Sequence, residues 1–452
     1  MNRHKILERC FRLNENETTV RTEVLAGLTT FLTMAYIIFL QPAVLTTDFA
    51  GQPTGLDYGA MLLATCVISG LASIFMGLYA RYPIALAPGM GENFFFVSVI
   101  MALGATGVQD AWQVALGIVF IAGVAFLVLS VLRVREAIIN VVSPSLRNAI
   151  ATAIGIFIAF IGLKNGGLIV SHPGTLVALS PTLLSTDVAV FVVGLFVAAA
   201  LQTRRIRGAI LWGIAAATLT AIALHKVHFQ GVFGLPLIEH SSVMKMNLGA
   251  AFSVKYIPFI IVFLFMDMFD TIGTLVGVAE QGGFVKDNRL PRANRVLLVD
   301  AVGTVAGACM GTSTVTSYIE SATGIAYGGR TGLTSVVVGL LFFGALLFSP
   351  IIGMIGGYVP ITASALVIVG AMMMTNVRRI DWDDFSEAIP AFLIILGIPL
   401  TFSIADGLAM GFISYPIIKL LSGKGKQVGV VMYALAVILL LYFIFIRPQI
   451  NT

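Results

Sequence analysis

Two aspartates three positions apart, Asp267 and Asp270, interrupt the otherwise apolar run IPFIIVFLFMDMFDTIGTLVGVAE. Residues i and i+3 share roughly one helical face. Two carboxylates that close in a low-dielectric setting disfavour simultaneous ionisation, so such a pair can take up and release a proton. Glu92 in YPIALAPGMGENFFF and Glu320 in GACMGTSTVTSYIESATG stand in apolar runs that break their own helices. Around them, Asn93 offers a donor and an acceptor. Thr314, Thr316, Ser317 and Ser321 add hydroxyls, and Phe94, Phe95 and Phe96 add rings that could pack or stack on a flat ligand. Residues 82–101, 256–279 and 307–327 contain no Lys or Arg, which argues against an anionic substrate. Carboxylates, an amide and hydroxyls suit a neutral, flat ligand with several N–H donors, because a carboxylate accepts two parallel N–H bonds.

The elements that position these groups must lie in a membrane. The 452 residues are 58% hydrophobic and 11% charged, with a mean hydropathy of +0.98; soluble domains carry roughly 25% charged residues. Apolar segments recur near 24–45, 59–80, 84–101, 112–132, 148–169, 187–203 and 207–224, then near 251–279, 294–311, 314–327, 331–349, 360–376, 387–404 and 405–422. That predicts fourteen spans. A further apolar segment at 428–446 either crosses again or lies against the bundle. Alternate loops carry the basic residues, among them Arg81, Arg133, Arg135, Arg147, Arg204, Lys286, Arg289, Arg330, Arg378, Lys419 and Lys424. This places them, and a polar tail over 1–23, in the cytoplasm, and the protein in the cytoplasmic (inner) membrane. The net charge of +5 is not clustered, which points away from nucleic acid. Cys10, Cys66 and Cys309 are scattered, without disulfide or metal-ligand spacing.

Glu92 and Glu320 lie 228 positions apart, close to half the chain, in the third and tenth segments. Seven segments separate the two, and an odd number of spans per repeat inverts the second copy. Matched, interrupted segments in two halves point to a transporter site at the bilayer midplane. Pro88, Gly89 and Gly91 mark a turn between an extended piece, Ile84–Ala87, and a half-helix. TSTVTSY suits a second extended piece, with Ser317 placed to cap the following half-helix and Glu320 at its third position. Asp300 is equally readable as a backbone-bonding structural group or a functional acid. Asp406, between the last two spans, reads as a helix cap.

The stretches APGMGENFFF, FDTIGTLVGVAEQGGF, TSYIESATGIAYGGRTGL and SIADGLAMGF, within a match running from about 20 to 415, resemble the nucleobase:cation symporter-2 superfamily, in its adenine/guanine/hypoxanthine permease (AzgA-like) branch. The resemblance implies an all-α polytopic membrane protein of fourteen spans in two inverted seven-span repeats, with short strands in spans 3 and 10. A core domain would hold 24–132 and 251–349, and a gate domain 145–224 and 360–422. It implies import of a purine base by symport, with H⁺ as coupling ion, Na⁺ left open and no cofactor. Asn93, Phe94, Thr316, Ser317, Asp270 and Glu320 are the expected substrate contacts. Asp270, Asp267 and Glu320 are the expected proton carriers, with Glu92 and Asp300 as further candidates. Glu92 departs from the family pattern, where an apolar residue such as leucine is usual. A homodimer is a candidate assembly. The alternatives are a carrier of uracil, xanthine or an inorganic anion on the same fold, or a membrane-embedded aspartyl protease, for which the required Gly-x-Gly-Asp tetrapeptide does not occur.

Overall fold

The computed structural model describes residues 3–132, 142–284, 291–441 and 443–444. Arg133, Arg135, Lys286 and Arg289, counted above among the loop cations, lie outside the described residues, as do 442, 445 and 446 of the last apolar segment. A short helix α1 (Arg3–Phe11) precedes the first expected span. That span is two helices, α2 (Val20–Met34) and α3 (Ile37–Thr46), parted at Ala35 and Tyr36. Then come α4 (Tyr58–Phe75), β1 (Leu86–Pro88) with α5 (Met90–Ala105), α6 (Ala111–Val131), α7 (Pro144–Asn165), a hairpin β2 (Ile169–His172) and β3 (Leu176–Leu179), α8 (Thr186–Thr203) and α9 (Ala209–Ala223). The second half runs α10 (Leu248–Ala251), α11 (Ile257–Gly282), α12 (Ala293–Met310), β4 (Val315–Ser317) with α13 (Ser321–Tyr327), α14 (Gly332–Ala345), α15 (Ser349–Gly356), α16 (Val359–Met373), α17 (Phe385–Thr401), α18 (Ile404–Leu421) and α19 (Val430–Leu441). The β2–β3 hairpin occupies residues read from sequence as the end of a span and a loop.

Packing repeats with a shift of seven segments. The contact of α6 with α12 is matched by that of α14 with α4, and α2 on α14 by α11 on α6. The pair α8–α9 is matched by α17–α18, and α8 on α16 by α17 on α7. Each half therefore folds alike and packs into the other. At the centre β1 pairs antiparallel with β4, Leu86 opposite Ser317, Ala87 opposite Thr316 and Pro88 opposite Val315. Antiparallel pairing is what an inverted repeat demands of equivalent strands.

The strand hydrogen bonds fix the repeat length. Gly89 N–H donates to the Thr314 carbonyl at 3.1 Å, and Tyr318 N–H to the Ala85 carbonyl at 2.9 Å. These two bonds exchange when each residue moves 229 places, since Tyr318 lies 229 beyond Gly89 and Thr314 lies 229 beyond Ala85. The repeat is thus one longer than the 228 that separates the two glutamates. Glu320 corresponds to Gly91, and Glu92 to Ser321, so the acids are not equivalent.

One further expectation changes. Lys419, read as a loop cation, is buried in the last turn of α18, 2.8 Å from Glu387 and 3.5 Å from Asp384. Glu387 also accepts from Ser143 at 2.6 Å and Tyr415 at 3.0 Å, which ties α7, α17 and α18 together. Lys424, 2.7 Å from Asp384, holds that carboxyl well below the usual carboxylate range, aided by Ser386. A depressed carboxylate stabilises above its unfolded pKa, so the link persists at neutral pH and is lost only on acidification. The described helix of the last segment, α19, packs on α18.

Helices α4 and α14 meet backbone to backbone. A Cβ on Gly332 would lie 1.9 Å from the Gly77 carbonyl oxygen, and one on Gly339 2.5 Å from that of Gly70. Small residues permit such approach where lipid supplies no hydrophobic drive between helices. Gly332→Ala should therefore force α14 off α4 and cost about 1–3 kcal/mol or more. Gly353→Ala, with nothing within 4 Å, is the control. Thermal denaturation of the two purified variants checks this; equal midpoints would refute it.

Candidate functional site

A two-stranded sheet inside a membrane has two outer edges whose backbone groups water cannot reach. Each edge receives one hydroxyl from a neighbouring helix. Ser73 of α4 accepts from Leu86 N–H at 3.0 Å and donates to the Leu86 carbonyl at 3.2 Å. Thr304 of α12 stands in the same relation to Val315, at 3.1 Å and 3.1 Å, and Leu86 and Val315 are equivalent under the 229-residue repeat. Tyr318 donates to the Pro88 carbonyl at 2.6 Å, and Ser321 accepts from Ala85 N–H at 3.0 Å.

Both strands run directly into half-helices. Gly89 is the extended N-cap of α5 and brings no capping side chain. The Glu92 carboxylate folds back over it, so that a Cβ on Gly89 would lie 2.1 Å from Glu92 Oε2. An acid in the first turn favours the helix dipole, and Glu92 is buried there beside its own backbone N–H. The expected cap of the other half-helix is not formed. Ser317 stays in β4 and donates to Asp300 at 3.3 Å, and α13 begins only at Ser321, immediately after Glu320. Asp406 does lie in a capped first turn, its N–H donating to Ser403 at 3.2 Å.

Five acids gather around the strands, and their environments separate them. Asp270 is exposed and Glu320 half-buried, whereas Glu92, Asp267 and Asp300 are buried. Glu320 Oε1 accepts from the Tyr36 hydroxyl at 2.7 Å, at the break between α2 and α3. Asp270 lies beside Thr316 and within electrostatic reach of Glu320. Asp267, three residues earlier, turns inward to accept from Thr304 at 2.7 Å. Asp300 accepts from Thr271 and Ser317, and Thr271 bonds Thr316 at 2.9 Å. Asp300 thereby ties α12 to α11 and β4 through side chains. The aspartates that sequence put on one face thus serve different surroundings, because i and i+3 still diverge by about 60° on a helix.

Asn93 and Phe94 are enclosed. The Asn93 amide donates to Gln41 and its oxygen accepts from Ser313, while Gln41 donates to Thr312 at 2.8 Å. Phe94 packs among Phe49, 6.2 Å away between centroids, and Phe157, 6.1 Å away. Sequence reasoning missed Tyr36, Gln41, Thr271, Thr304 and Ser313. Gln41 had a signal, an amide in an apolar helix just before Pro42; Tyr36 and Thr304 had none, for no breaker or charge marks them.

The arrangement can hold a ligand between two accessible carboxylates, beside a strand pair whose outward groups at Leu86, Pro88 and Val315 are met by side-chain hydroxyls. The Permease family model, Xan_ur_permease, matches residues 21–410. The chain belongs to this family, the nucleobase:cation symporter-2 permeases. The permease is 40% identical to the adenine permease AdeP of Escherichia coli K12 over 98% of this chain and 96% of that protein. It is 43% identical to the guanine/hypoxanthine permease PbuG of Bacillus subtilis 168 over 97% of this chain and 99% of that one. In fold it is similar to the transmembrane domain of the cyanobacterial bicarbonate transporter BicA, with a TM-score of 0.59 at 14% identity, covering 86% of this chain and 97% of the other. It is a polytopic membrane transporter and not an enzyme.

Because both ends of the Asn93 amide are bonded inside the protein, Asn93→Ala should cost stability by itself. Gln41 and Ser313 would each lose a buried partner, a penalty of about 1–3 kcal/mol. Thermal denaturation without any ligand reads this directly; an unchanged midpoint would show that the network contributes nothing to the fold.

Proposed function

We propose that this permease imports purine nucleobases by proton symport, with the base held between Asp270 and Glu320 beside β4. The observation that carries the reading is the division among the acids: these two remain accessible while the other three are buried. A purine edge offers neighbouring N–H donors, and a carboxylate accepts them in pairs. The names of AdeP and PbuG, adenine for one and guanine and hypoxanthine for the other, agree with that chemistry.

Roles divide by mobility. Glu320 is held by Tyr36 and starts the half-helix α13, so it is the base acceptor. Asp270 sits on an unbroken helix, open to solvent, and exchanges the proton. Elements α2–α6 and α11–α14 form the core that carries the site; α7–α9 and α16–α18 form the gate against which it moves. The N-terminus is cytoplasmic, as the basic loops imply. Half-helix N-termini and the strand backbone support the bound base, as in other transporters with discontinuous spans.

Uptake of radiolabelled adenine, guanine and hypoxanthine should rise as external pH falls and collapse with an uncoupler. Strict Na⁺ dependence with indifference to the proton gradient would overturn the coupling. Uptake of uracil alone would overturn the substrate class. Glu320→Gln should weaken equilibrium binding about 10–100-fold, the loss of a hydrogen bond to a charged group. Asp270→Asn, which resembles the protonated acid, should bind and exchange purine but fail to accumulate it in liposomes. The reverse pattern would exchange the two assignments.

A further inference from the structure

Thr304 has one proton and two acceptors for it. Its Oγ1 lies 3.1 Å from the Val315 carbonyl and 2.7 Å from Asp267 Oδ2, and it accepts from Val315 N–H at 3.1 Å. A hydroxyl donates once and accepts twice. Val315 faces away from β1, since the Gly89–Thr314 bond sets the alternation of paired positions. Its carbonyl must therefore be met from outside the sheet. An ionised Asp267 is acceptor-only and takes the Thr304 proton, which leaves the Val315 carbonyl without it. A protonated Asp267 donates to the second lone pair of Thr304, and Thr304 then donates to Val315. Every group in the bracket is met only in that second state.

The other repeat supplies the comparison. Ser73 brackets Leu86 in the same way, and among the described residues no carboxylate shares that bracket. Facing Asp267 are Asp300 from α12, Asp270 from its own helix and Glu92 from α5, all of them carboxylates. The remaining Asp267 oxygen, Oδ1, is buried without a hydrogen-bond partner among the described residues.

We infer that Thr304 is a positioning residue that couples the proton on Asp267 to the backbone of β4, and through Thr316 to the site between Asp270 and Glu320. Protonation closes the edge of β4; deprotonation opens it. The inference rests on the transport reading for its purpose, and its first test needs no substrate.

Hydrogen–deuterium exchange of the peptide carrying Val315, corrected for intrinsic exchange, is followed from acidic to alkaline pH on the intact protein. Protection should fall on the order of tenfold as pH rises, the equilibrium effect of one unmet buried carbonyl. Asp267→Asn should keep high protection at every pH, Thr304→Val low protection at every pH, and Thr304→Ser the parental profile. Ser73→Ala should lower protection at Leu86 without adding pH dependence. Parental protection that is flat with pH, or parental pH dependence surviving in Thr304→Val, would overturn the inference. Should Thr304→Val fail to fold, Asp267→Asn with the parental profile would overturn it equally. A second readout is the dissociation constant for hypoxanthine, whose pH dependence in the Asp270→Asn background should remain and should be lost when Thr304→Val is added. Absence of purine binding to the parent at any pH would refute the proposed substrate, while the exchange profile would still decide the role of Thr304.

Discussion

Backbone polar groups cannot be left unmet in hydrocarbon, and the two short strands at the centre of this protein make that constraint severe. Each unsatisfied group would cost several kcal/mol. A pair of three-residue strands has more edge than interior. The surrounding structure can be understood as the answer to it: Ser73 and Thr304 close the outer edges, Tyr318 and Ser321 close the ends, and Ser335 reaches the Tyr82 and Ile84 carbonyls at 2.8 Å each. Irregular backbone at this depth is tolerable because it is enclosed by protein. The site follows from the same constraint, since the groups left over after closure, Asp270 and Glu320, are the ones that remain accessible.

The close helix contacts serve the strands as well. Helix α4 carries Ser73, and α14 carries Ser335. Gly77 and Gly332 allow these two helices to touch through their backbones, which brings their hydroxyls to the same stretch, Tyr82–Leu86. On the other side α12 delivers Thr304, and Gly123 of α6 receives it, a Cβ there lying 2.9 Å from the Thr304 methyl. Glycine placement and hydroxyl placement are therefore one device used twice, once in each repeat.

Much of this was legible before any coordinates. Proline and glycine in APGMGEN, and β-branched residues in TSTVTS, predicted the two extended pieces, and hydropathy placed the helices around them. The register was not legible, because a spacing of 228 between two glutamates and a repeat of 229 differ by one residue, and one residue turns a side chain by about 100° on a helix. That single step separates Glu320, half-buried against the Tyr36 hydroxyl, from Glu92, folded over Gly89. Nor could sequence distinguish Asp267 from Asp270, since the difference lies in a hydroxyl from α12, 37 positions along the chain from Asp267. Asn93 was singled out as a substrate contact, whereas the structure bonds its amide to Gln41 and Ser313, which lie 52 and 220 positions away along the chain.

The distribution of contacts bears on how a transporter of this kind can move without dismantling its site. Glu320, Asp270, Thr316 and Tyr36 are held by α2, α3, α11, α12 and the strands, all within one packed group. Contacts from that group to the other are of a different kind. Phe265 meets Phe412 of α18 at 6.5 Å, and the Arg147 guanidinium of α7 lies 5.9 Å over Phe269. At the opposite end of α7, Phe49 and Phe94 meet Phe157, and Lys164 donates to the Phe49 carbonyl at 2.7 Å. Apart from the Lys164 hydrogen bond, these are aromatic contacts and a cation over a ring, which accept more than one geometry. Such surfaces can slide and re-form at modest cost, whereas the hydroxyl brackets and carboxylate bonds of the site are directional and close-fitting. A relative movement of the two groups would therefore separate at the aromatic contacts and carry the strands, with both accessible acids, as one unit.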